Sequence, residues 1–329
     1  MALIVAAMLA GCAPSAPQPA DAVVADLGGL AVEGYLFPDD DATRLIARDA
    51  SALAIVGVDG VALAADGSAV SPLPGGARPA VEAAHAEGVD AELLVANFDE
   101  QLGGFSADAA RALLAARETR LAVAAALAER VAEGGFDGLQ LDLELLDAGM
   151  RDGFTAFVDE VRAALPASAT LSIAIEAAEN PGGFRRLGYD LSAILPDLDR
   201  VVLMAYDQHG PWSEPGPVGA SPWVETVTAA ALAAGIPADR LDLGVAGYGY
   251  RWPGDGTDPS TVTVAEAREL AADEAAFDAA QGEWTATLDD GTVLWWSDSR
   301  TLAVRAEFAR SLGLHGLALW QLASADPLG

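Results

Sequence analysis

The sequence contains no lysine and a single cysteine, and both shortages limit its chemistry. Without lysine, the chain cannot use a Schiff-base lysine, a lysine-anchored pyridoxal phosphate or the G-x-x-x-x-G-K phosphate loop. One cysteine cannot form an internal disulfide. The sequence also lacks the G-x-S-x-G motif of serine hydrolases, and its three histidines are scattered, so they give no metal triad. We expect neither a cofactor nor a metal.

Positive charge is scarce. The 329 residues carry 18 basic side chains, all arginine, against 49 acidic ones, and the net charge is −31. Such a chain repels phosphate backbones and anionic headgroups, so we expect no nucleic-acid partner. Two explanations of this composition stay open. The missing lysine can reflect a GC-rich genome, and the acidic excess can reflect a salt-adapted surface.

The sequence has no apolar run long enough to span a membrane. Near its start, the apolar segment 2–10 leads into the sequence Leu9-Ala10-Gly11-Cys12. This sequence resembles the lipobox of bacterial lipoproteins. A segment rich in proline and alanine follows. The resemblance implies a signal peptide over residues 1–11, a lipid on Cys12 and a tether over 12–29. We therefore expect the protein at the extracellular face of the cell membrane, held only by this anchor, or secreted.

From residue 30 onward, short apolar runs alternate with amphipathic stretches, as in β/α units. Eight predicted strands indicate a closed (β/α)8 TIM barrel over 30–329, an α/β fold. The strands are Ala31–Phe37, Ala52–Val58, Ala91–Asn97, Gly138–Glu144, Thr170–Glu176, Arg200–Tyr206, Asp242–Tyr248 and Leu314–Trp320.

One connection of this predicted barrel is too long for a simple loop. Residues 253–299 contain a predicted helix, Val264–Ala272, and a hairpin, Trp284–Trp296, that turns at Asp290-Gly291. We expect a small α+β insertion between strands seven and eight, at the rim of the barrel.

The fourth predicted strand alternates apolar and polar side chains. Its sequence FDGLQLDLE places three leucines on one face and Gln140, Asp142 and Glu144 on the other. Carboxylates two residues apart on a strand lie about 6.5 Å apart, so the charge of Asp142 raises the pKa of Glu144, as a general acid requires. The alternative is an amphipathic edge strand with one wet face. It fits poorly in a parallel sheet, whose two faces are covered.

This stretch resembles the fourth strand of glycoside hydrolase family 18, the chitinase-type enzymes, which carries D-G-x-D-x-D-x-E. The sequence reads DGLQLDLE and departs from that pattern at Gln140. A second family element, M-x-Y-D, is present as Met204 to Asp207, and a third is Trp320 at the end of strand eight. The continuation after Asp207 looks most like the bacterial cell-wall and spore-cortex branch of the family.

The resemblance implies retaining, substrate-assisted hydrolysis, in which the 2-acetamido oxygen of the sugar attacks its own anomeric carbon. Glu144 is then the acid that protonates the leaving oxygen and later activates water. Asp142 orients the acetamido group, the Tyr206 hydroxyl holds its carbonyl, and Asp207 lines the sugar subsite. No metal or cofactor takes part.

Aromatic side chains at strand ends are natural platforms for the apolar faces of sugars. Trp320, Tyr248 and Tyr35 occupy such positions, and with Gln140 and Asp207 they form the predicted substrate-binding set. Glutamine cannot share a proton with Asp142. We therefore expect Gln140 to donate an amide hydrogen bond to Asp142 and to keep that carboxylate charged.

Taken together, these features predict a monomeric glycosidase for N-acetylglucosamine-containing glycans, either peptidoglycan or a chitin-like polymer. The alternative is a catalytically silent glycan-binding protein on the same barrel, which the presence of Glu144 disfavours. A barrel enzyme of unrelated chemistry is a third possibility, but most covalent mechanisms find no nucleophile in this sequence.

Overall fold

A computed structural model describes residues 27–329, so the predicted signal peptide, Cys12 and most of the predicted tether lie outside the described residues. The central feature is a closed barrel of eight parallel strands, in the order β1, β2, β3, β6, β7, β8, β9 and β15. This confirms the predicted TIM barrel. The eight strands are Ala31–Leu36, Ile55–Ala62, Asp90–Ala96, Gly138–Asp142, Thr170–Glu176, Arg200–Met204, Leu241–Ala246 and Gly316–Trp320.

Helices between the strands cover the barrel, because each presents an apolar stripe to the outward-facing Val, Leu and Ile of the strands. The long helical stretch after residue 106 is split into two helices at Ala116. Gly135 and Gly313 end α4 and α10 with φ values of 76° and 65°, which favour glycine. The helices α1 to α10 are Ala42–Asp49, Ala77–Ala86, Ala107–Ala115, Arg117–Gly134, Arg151–Ala164, Pro181–Arg186, Leu191–Ile194, Ser221–Ala233, Val264–Ala271 and Ser299–Leu312.

The insertion forms a five-stranded sheet that packs against α9 around its own apolar core. The sheet starts at Tyr248, five residues before Pro253, where the sequence predicted that the insertion begins. Only Gly247 separates the barrel strand β9 from this new strand, so the apolar pattern continues without a break and periodicity does not reveal the change of sheet. Its strands β10 to β14 are Tyr248–Trp252, Ser260–Thr263, Ala276–Asp278, Glu283–Thr287 and Val293–Trp296.

A short two-stranded ribbon follows β3, at the rim of the barrel formed by the carboxyl ends of the strands. Its strands are β4, Phe98–Asp99, and β5, Gly104–Phe105. None of the helices within 27–329 is long and apolar enough to cross a membrane.

The lower half of the barrel interior is polar, whereas barrels usually pack aliphatic layers there. Arg200 donates hydrogen bonds to Glu33 at 3.1 Å and to Glu92 at 2.7 Å, and it also pairs with Asp242. We call these four buried residues the Arg200 cluster. Burial raises the pKa of Glu33 to about 7 even though Arg200 opposes the shift.

Candidate active site

An open cleft of about 960 Å³ lies at the carboxyl ends of the barrel strands, the end at which barrel enzymes place their chemistry. It contains both carboxylates of the fourth-strand motif, and aromatic side chains stand along its walls. The residues that line this cleft include Phe37, Asp59, Ala96, Phe98, Phe105, Asp142, Glu144, Tyr206, Asp207 and Trp320.

Glu144 is held in place through its backbone. The Asn97 amide donates to the Glu144 carbonyl at 2.9 Å, and the Glu144 N–H donates to the Asn97 side-chain oxygen at 2.9 Å. Asn97 is buried at the end of the neighbouring strand β3, so this double hydrogen bond fixes the turn that follows β6. Burial, followed by the charges of Asp142, Glu176 and Asp207, raises the pKa of Glu144 to about 9. Glu144 therefore keeps its proton at neutral pH.

Asp142 lies at the end of β6 and is 7% exposed. One of its oxygens, Oδ1, is buried and has no hydrogen-bond partner among the described residues. Burial, together with the charges of Asp59 and Glu176, raises the pKa of Asp142 to about 7. An unpaired buried carboxylate oxygen is costly, so a ligand that donates a hydrogen bond to it gains free energy.

Gln140 does not have the contact that the sequence predicted. Its amide nitrogen donates to Glu33 and to Ser172, and its oxygen accepts from the Tyr35 hydroxyl at 2.7 Å. Gln140 is 1% exposed and lies below the cleft, since it sits one inward-facing position lower on β6 than Asp142. It therefore links the site to the Arg200 cluster and donates no hydrogen bond to Asp142.

Asp207 follows β8 with a φ of 61°, a strained value for a residue other than glycine. The hydroxyls of Tyr248 and Tyr250 donate to its Oδ1 at 2.5 and 2.8 Å, so the first strand of the insertion holds this carboxylate. Tyr248 thus supports Asp207, and it lines a smaller neighbouring cavity of about 290 Å³. Tyr206 lines the main cleft. Burial raises the pKa of its hydroxyl, which stays protonated.

Trp320 forms an aromatic cluster with Tyr35 of β1 and with Phe37, which follows β1. The ring of Tyr35 lies 5.4 Å from that of Trp320 and is 3% exposed, so Tyr35 supports the tryptophan from within the barrel. Phe37, rather than Tyr35, lines the cleft beside Trp320; it is 46% exposed and meets Trp320 edge-on at 6.0 Å.

Sequence reasoning missed several residues of this site. Asp59 and Asn97 each stand at or near the end of a buried strand, which was a usable signal. Glu176 ends β7 and accepts a hydrogen bond from the N–H of Leu145, whose φ is 58°. Phe37 ends the first predicted strand and Phe98 follows the third, so their position at strand ends was a usable signal as well. Within 27–329, no group of three His, Cys, Asp or Glu is arranged to hold a metal ion.

The family pattern recognised in the sequence also appears in a direct comparison. Residues 101–326 match the model of glycosyl hydrolases family 18, and this region contains Asp142, Glu144, Tyr206, Asp207 and Trp320. The chain belongs to glycosyl hydrolase family 18. The match confirms the family that the DGLQLDLE and MAYD motifs indicated.

Relatives of this family 18 chain include glycosylases and chitinases. It is 24% identical over 242 residues to the uncharacterized glycosylase YvbX of Bacillus subtilis, a match that covers 70% of each chain. The chitinase of Chromobacterium violaceum superposes with a TM-score of 0.79 at 26% identity, over 91% of this chain and 96% of that one. The spore cortex-lytic enzyme SleL of Bacillus cereus has the same fold, with a TM-score of 0.79 at 19% identity, over 91% and 72% of the two chains.

Proposed function

We propose that this family 18 protein hydrolyses glycosidic bonds of an N-acetylglucosamine-containing glycan by a retaining, substrate-assisted mechanism. The observation that carries the proposal is the pair formed by Glu144 and Asp142. A protonated acid at the edge of an open cleft stands next to a buried carboxylate that lacks a partner. This pair supplies a proton donor and a hydrogen-bond acceptor at one end of a sugar-sized cavity.

In the first step, the acetamido oxygen of the sugar bonds to its own anomeric carbon while the bond from that carbon to the leaving oxygen breaks. Glu144 gives its proton to the leaving oxygen, and an oxazolinium ion remains. In the second step, the Glu144 carboxylate removes a proton from water as the water oxygen attacks the anomeric carbon. The oxazolinium ring opens and Glu144 is protonated again. The configuration at the anomeric carbon is retained.

The neighbours of Glu144 divide the remaining tasks. Asp142 accepts the acetamido N–H through its free oxygen and offsets the positive charge of the oxazolinium ion. Tyr206 donates its hydroxyl to the acetamido carbonyl. Trp320, supported by Tyr35, forms the floor on which the apolar face of the sugar rests.

The substrate we propose is peptidoglycan or a chitin-like polymer of N-acetylglucosamine. The names of the relatives, a glycosylase, a chitinase and a spore cortex-lytic enzyme, support this range. We further propose that the protein acts as a monomer at the extracellular face of the membrane. There a lipid on Cys12 would hold it beside its substrate, unless the protein is secreted.

The decisive experiment incubates wild type and Glu144→Gln with purified peptidoglycan and with chitin oligomers, and measures new reducing ends. We expect the wild type to release them and the variant to lose activity by about 10²- to 10⁴-fold. Glu129→Gln, on the exposed side of α4, is the matched control and should retain activity. If the wild type binds both glycans and cleaves neither, the protein is the silent glycan-binding alternative.

The anchor needs a separate experiment. Wild type and Cys12→Ala are expressed in a bacterial host, and the mass of the N-terminal peptide is measured after separation of membrane and soluble fractions. We expect a lipid mass on Cys12 and membrane association for wild type alone. An unmodified Cys12 in the wild type would contradict the anchor.

A further inference from the structure

The amide of Gln140 is bound on every side by buried groups. Its nitrogen donates to the Ser172 hydroxyl at 3.0 Å and to the two Glu33 oxygens at 3.3 and 3.2 Å, and its oxygen accepts from the Tyr35 hydroxyl at 2.7 Å. Glu33 and Tyr35 lie on β1, which is not a neighbour of β6 in the barrel. Gln140 therefore connects β6 to β1 across the barrel interior.

Only one orientation of this amide fits its surroundings. In the reversed orientation, the amide oxygen would face the Glu33 carboxylate, and two acceptors would meet. Ser172 cannot relieve that contact, because its hydroxyl already donates to Glu92 at 2.7 Å. Glu33 is itself held by Arg200 at 3.1 Å. The Arg200 cluster thus directs the Gln140 oxygen toward Tyr35.

Tyr35 carries this constraint to the cleft. Its ring packs on Gly57 of β2, where an added Cβ would lie 2.3 Å from a ring carbon, so the glycine leaves the space that the ring fills. The same ring lies 5.4 Å from that of Trp320, which lines the cleft. Because the hydroxyl is the far end of the tyrosine side chain, its hydrogen bond to Gln140 fixes the tilt of the ring that supports Trp320.

We propose that Gln140 is a positioning residue, which sets the tilt of Trp320 through the Tyr35 hydroxyl. A glutamine suits this task because one amide supplies hydrogen atoms to Glu33 and Ser172 and an oxygen to Tyr35. The aspartate of the family pattern would instead add a carboxylate beside Glu33 and Glu92, which already share Arg200. This inference rests on the proposed function, in which Trp320 is the floor of the sugar site.

The first test needs neither substrate nor activity, so its outcome does not depend on the proposed function. The emission of Trp320 is obtained as the difference between the tryptophan spectra of a protein and of the same protein carrying Trp320→Phe. We expect this difference spectrum to shift in Gln140→Leu and in Tyr35→Phe, which break the same hydrogen bond from its two ends. Gln281→Leu, in the insertion, is the matched control and should leave the spectrum unchanged.

The two variants differ in their cost to the fold. Gln140→Leu also removes the hydrogen bonds to Glu33 and Ser172, so it lowers stability, whereas Tyr35→Phe removes one hydroxyl and keeps the ring. Each spectrum is therefore recorded well below the Tm of its own protein. If Trp320 emits as in wild type in both variants, the proposal is overturned.

The second test asks whether Gln140 acts through Trp320. Steady-state kinetics with chitin oligomers compare Gln140→Leu, Trp320→Ala and the double variant. In Gln140→Leu we expect kcat/KM to fall by about tenfold, mostly through a higher KM, because a tilted floor binds the sugar less well. In the Trp320→Ala background the same substitution should cost far less, since the floor that it positions is gone. Losses that simply multiply would contradict an action through Trp320.

The third test exchanges the amide and the carboxylate. Gln140→Glu keeps the shape of the side chain but turns an oxygen toward Glu33, whose pKa of about 7 leaves it ionised at pH 8. We expect Tm at pH 8 to fall and the Trp320 emission to shift. Adding Glu33→Gln returns an amide opposite the new carboxylate, so the double variant should recover part of both. A double variant whose loss of Tm equals the sum of the two single losses would show that Gln140 and Glu33 do not need an amide between them.

Discussion

Glu144 and Asp142 are two residues apart in sequence, yet their surroundings give them different protonation states. The proposed mechanism needs Glu144 protonated and Asp142 ionised. With pKa values of about 9 and about 7, the active form is most populated between these two values. We predict a bell-shaped profile of kcat/KM against pH, with its acidic limb near pH 7 and its basic limb near pH 9.

The profile is measured with a soluble chitin oligomer. Glu176→Gln is the informative companion, because it removes a charge that raises the pKa of both residues. Both limbs should then move to lower pH. A basic limb that does not depend on Glu176 would mean that Glu144 is not the acid.

Asn97 determines where Glu144 lies, although it does not touch the cleft. In Asn97→Ala, both hydrogen bonds to the Glu144 backbone are lost and the turn after β6 is released. We predict that kcat falls by about 10- to 100-fold with little change in KM, because the acid is misplaced. Steady-state kinetics with chitin oligomers measure this split.

Asn180→Ala is the control for Asn97, since Asn180 is the only other asparagine and is exposed. Asn97→Asp should restore part of kcat, because it can still accept the Glu144 N–H. Equal losses of kcat in the alanine and aspartate variants, with an unchanged fold, would contradict the positioning role.

At the scale of elements, the two structures at the rim of the barrel differ in construction. On one side, the insertion lines the smaller cavity beside the cleft; it follows β9 after a single residue and is fixed by Glu283, which accepts hydrogen bonds from the N–H groups of Val218 and Gly219. On the other side stands the ribbon of β4 and β5, only two residues per strand, where Phe98 meets Phe105 edge-on at 5.5 Å. Phe98 is 40% exposed, so the ribbon offers an aromatic surface to a long substrate.

We predict that Phe98→Ala raises KM for long oligomers by about 3- to 10-fold, the value of one aromatic contact. Its effect on the shortest cleaved oligomer should be smaller, because a short oligomer has fewer sugars to reach the ribbon. Leu121→Ala, a half-exposed residue of α4, serves as the control. A KM that rises equally for short and long oligomers would place Phe98 at the reacting sugar.

The elements themselves follow largely from local sequence. Gly138–Asp142 and Thr170–Glu176 can be identified as strands because their large apolar residues recur at every second position. What periodicity could not reveal is the change of sheet at Gly247, since both sheets need the same alternating pattern.

The site was only partly predictable, because sequence patterns detect residues that lie close together in the chain. Asp142, Glu144 and Trp320 lie in the cleft, and their motif could be found within single segments. The partners of Gln140 come from β1 and β7. These contacts join strands distant in sequence, so no local pattern encodes them.

For the molecule as a whole, the Arg200 cluster is the most consequential feature of the barrel interior. In Arg200→Met, the buried Glu33 and Glu92 lose the only cation that pairs with them among residues 27–329, and Asp242 keeps only His315. We predict a loss of about 3 to 5 kcal/mol in the free energy of unfolding at pH 8. At pH 5 the loss should be smaller, because the raised pKa of Glu33 lets that side chain become neutral.

Chemical denaturation at the two pH values measures this difference. Arg117→Met is the control, since the Arg117 side chain is 74% exposed and its ion pair with Glu160 is long at 3.8 Å. If Arg200→Met lost the same free energy at pH 5 and pH 8, its role would be packing rather than charge.

The ring of the barrel is closed by β1 and β15, in which Ala31 pairs with Gly316. During synthesis, β1 therefore keeps one edge unpaired until β15 has emerged from the ribosome. Glu33 on that strand likewise meets Arg200 only after about three fifths of the given sequence has been made. Because contacts this distant in sequence form late, closure of the ring is the expected slow step of folding, and the open edge of β1 is the place where a chaperone would help most.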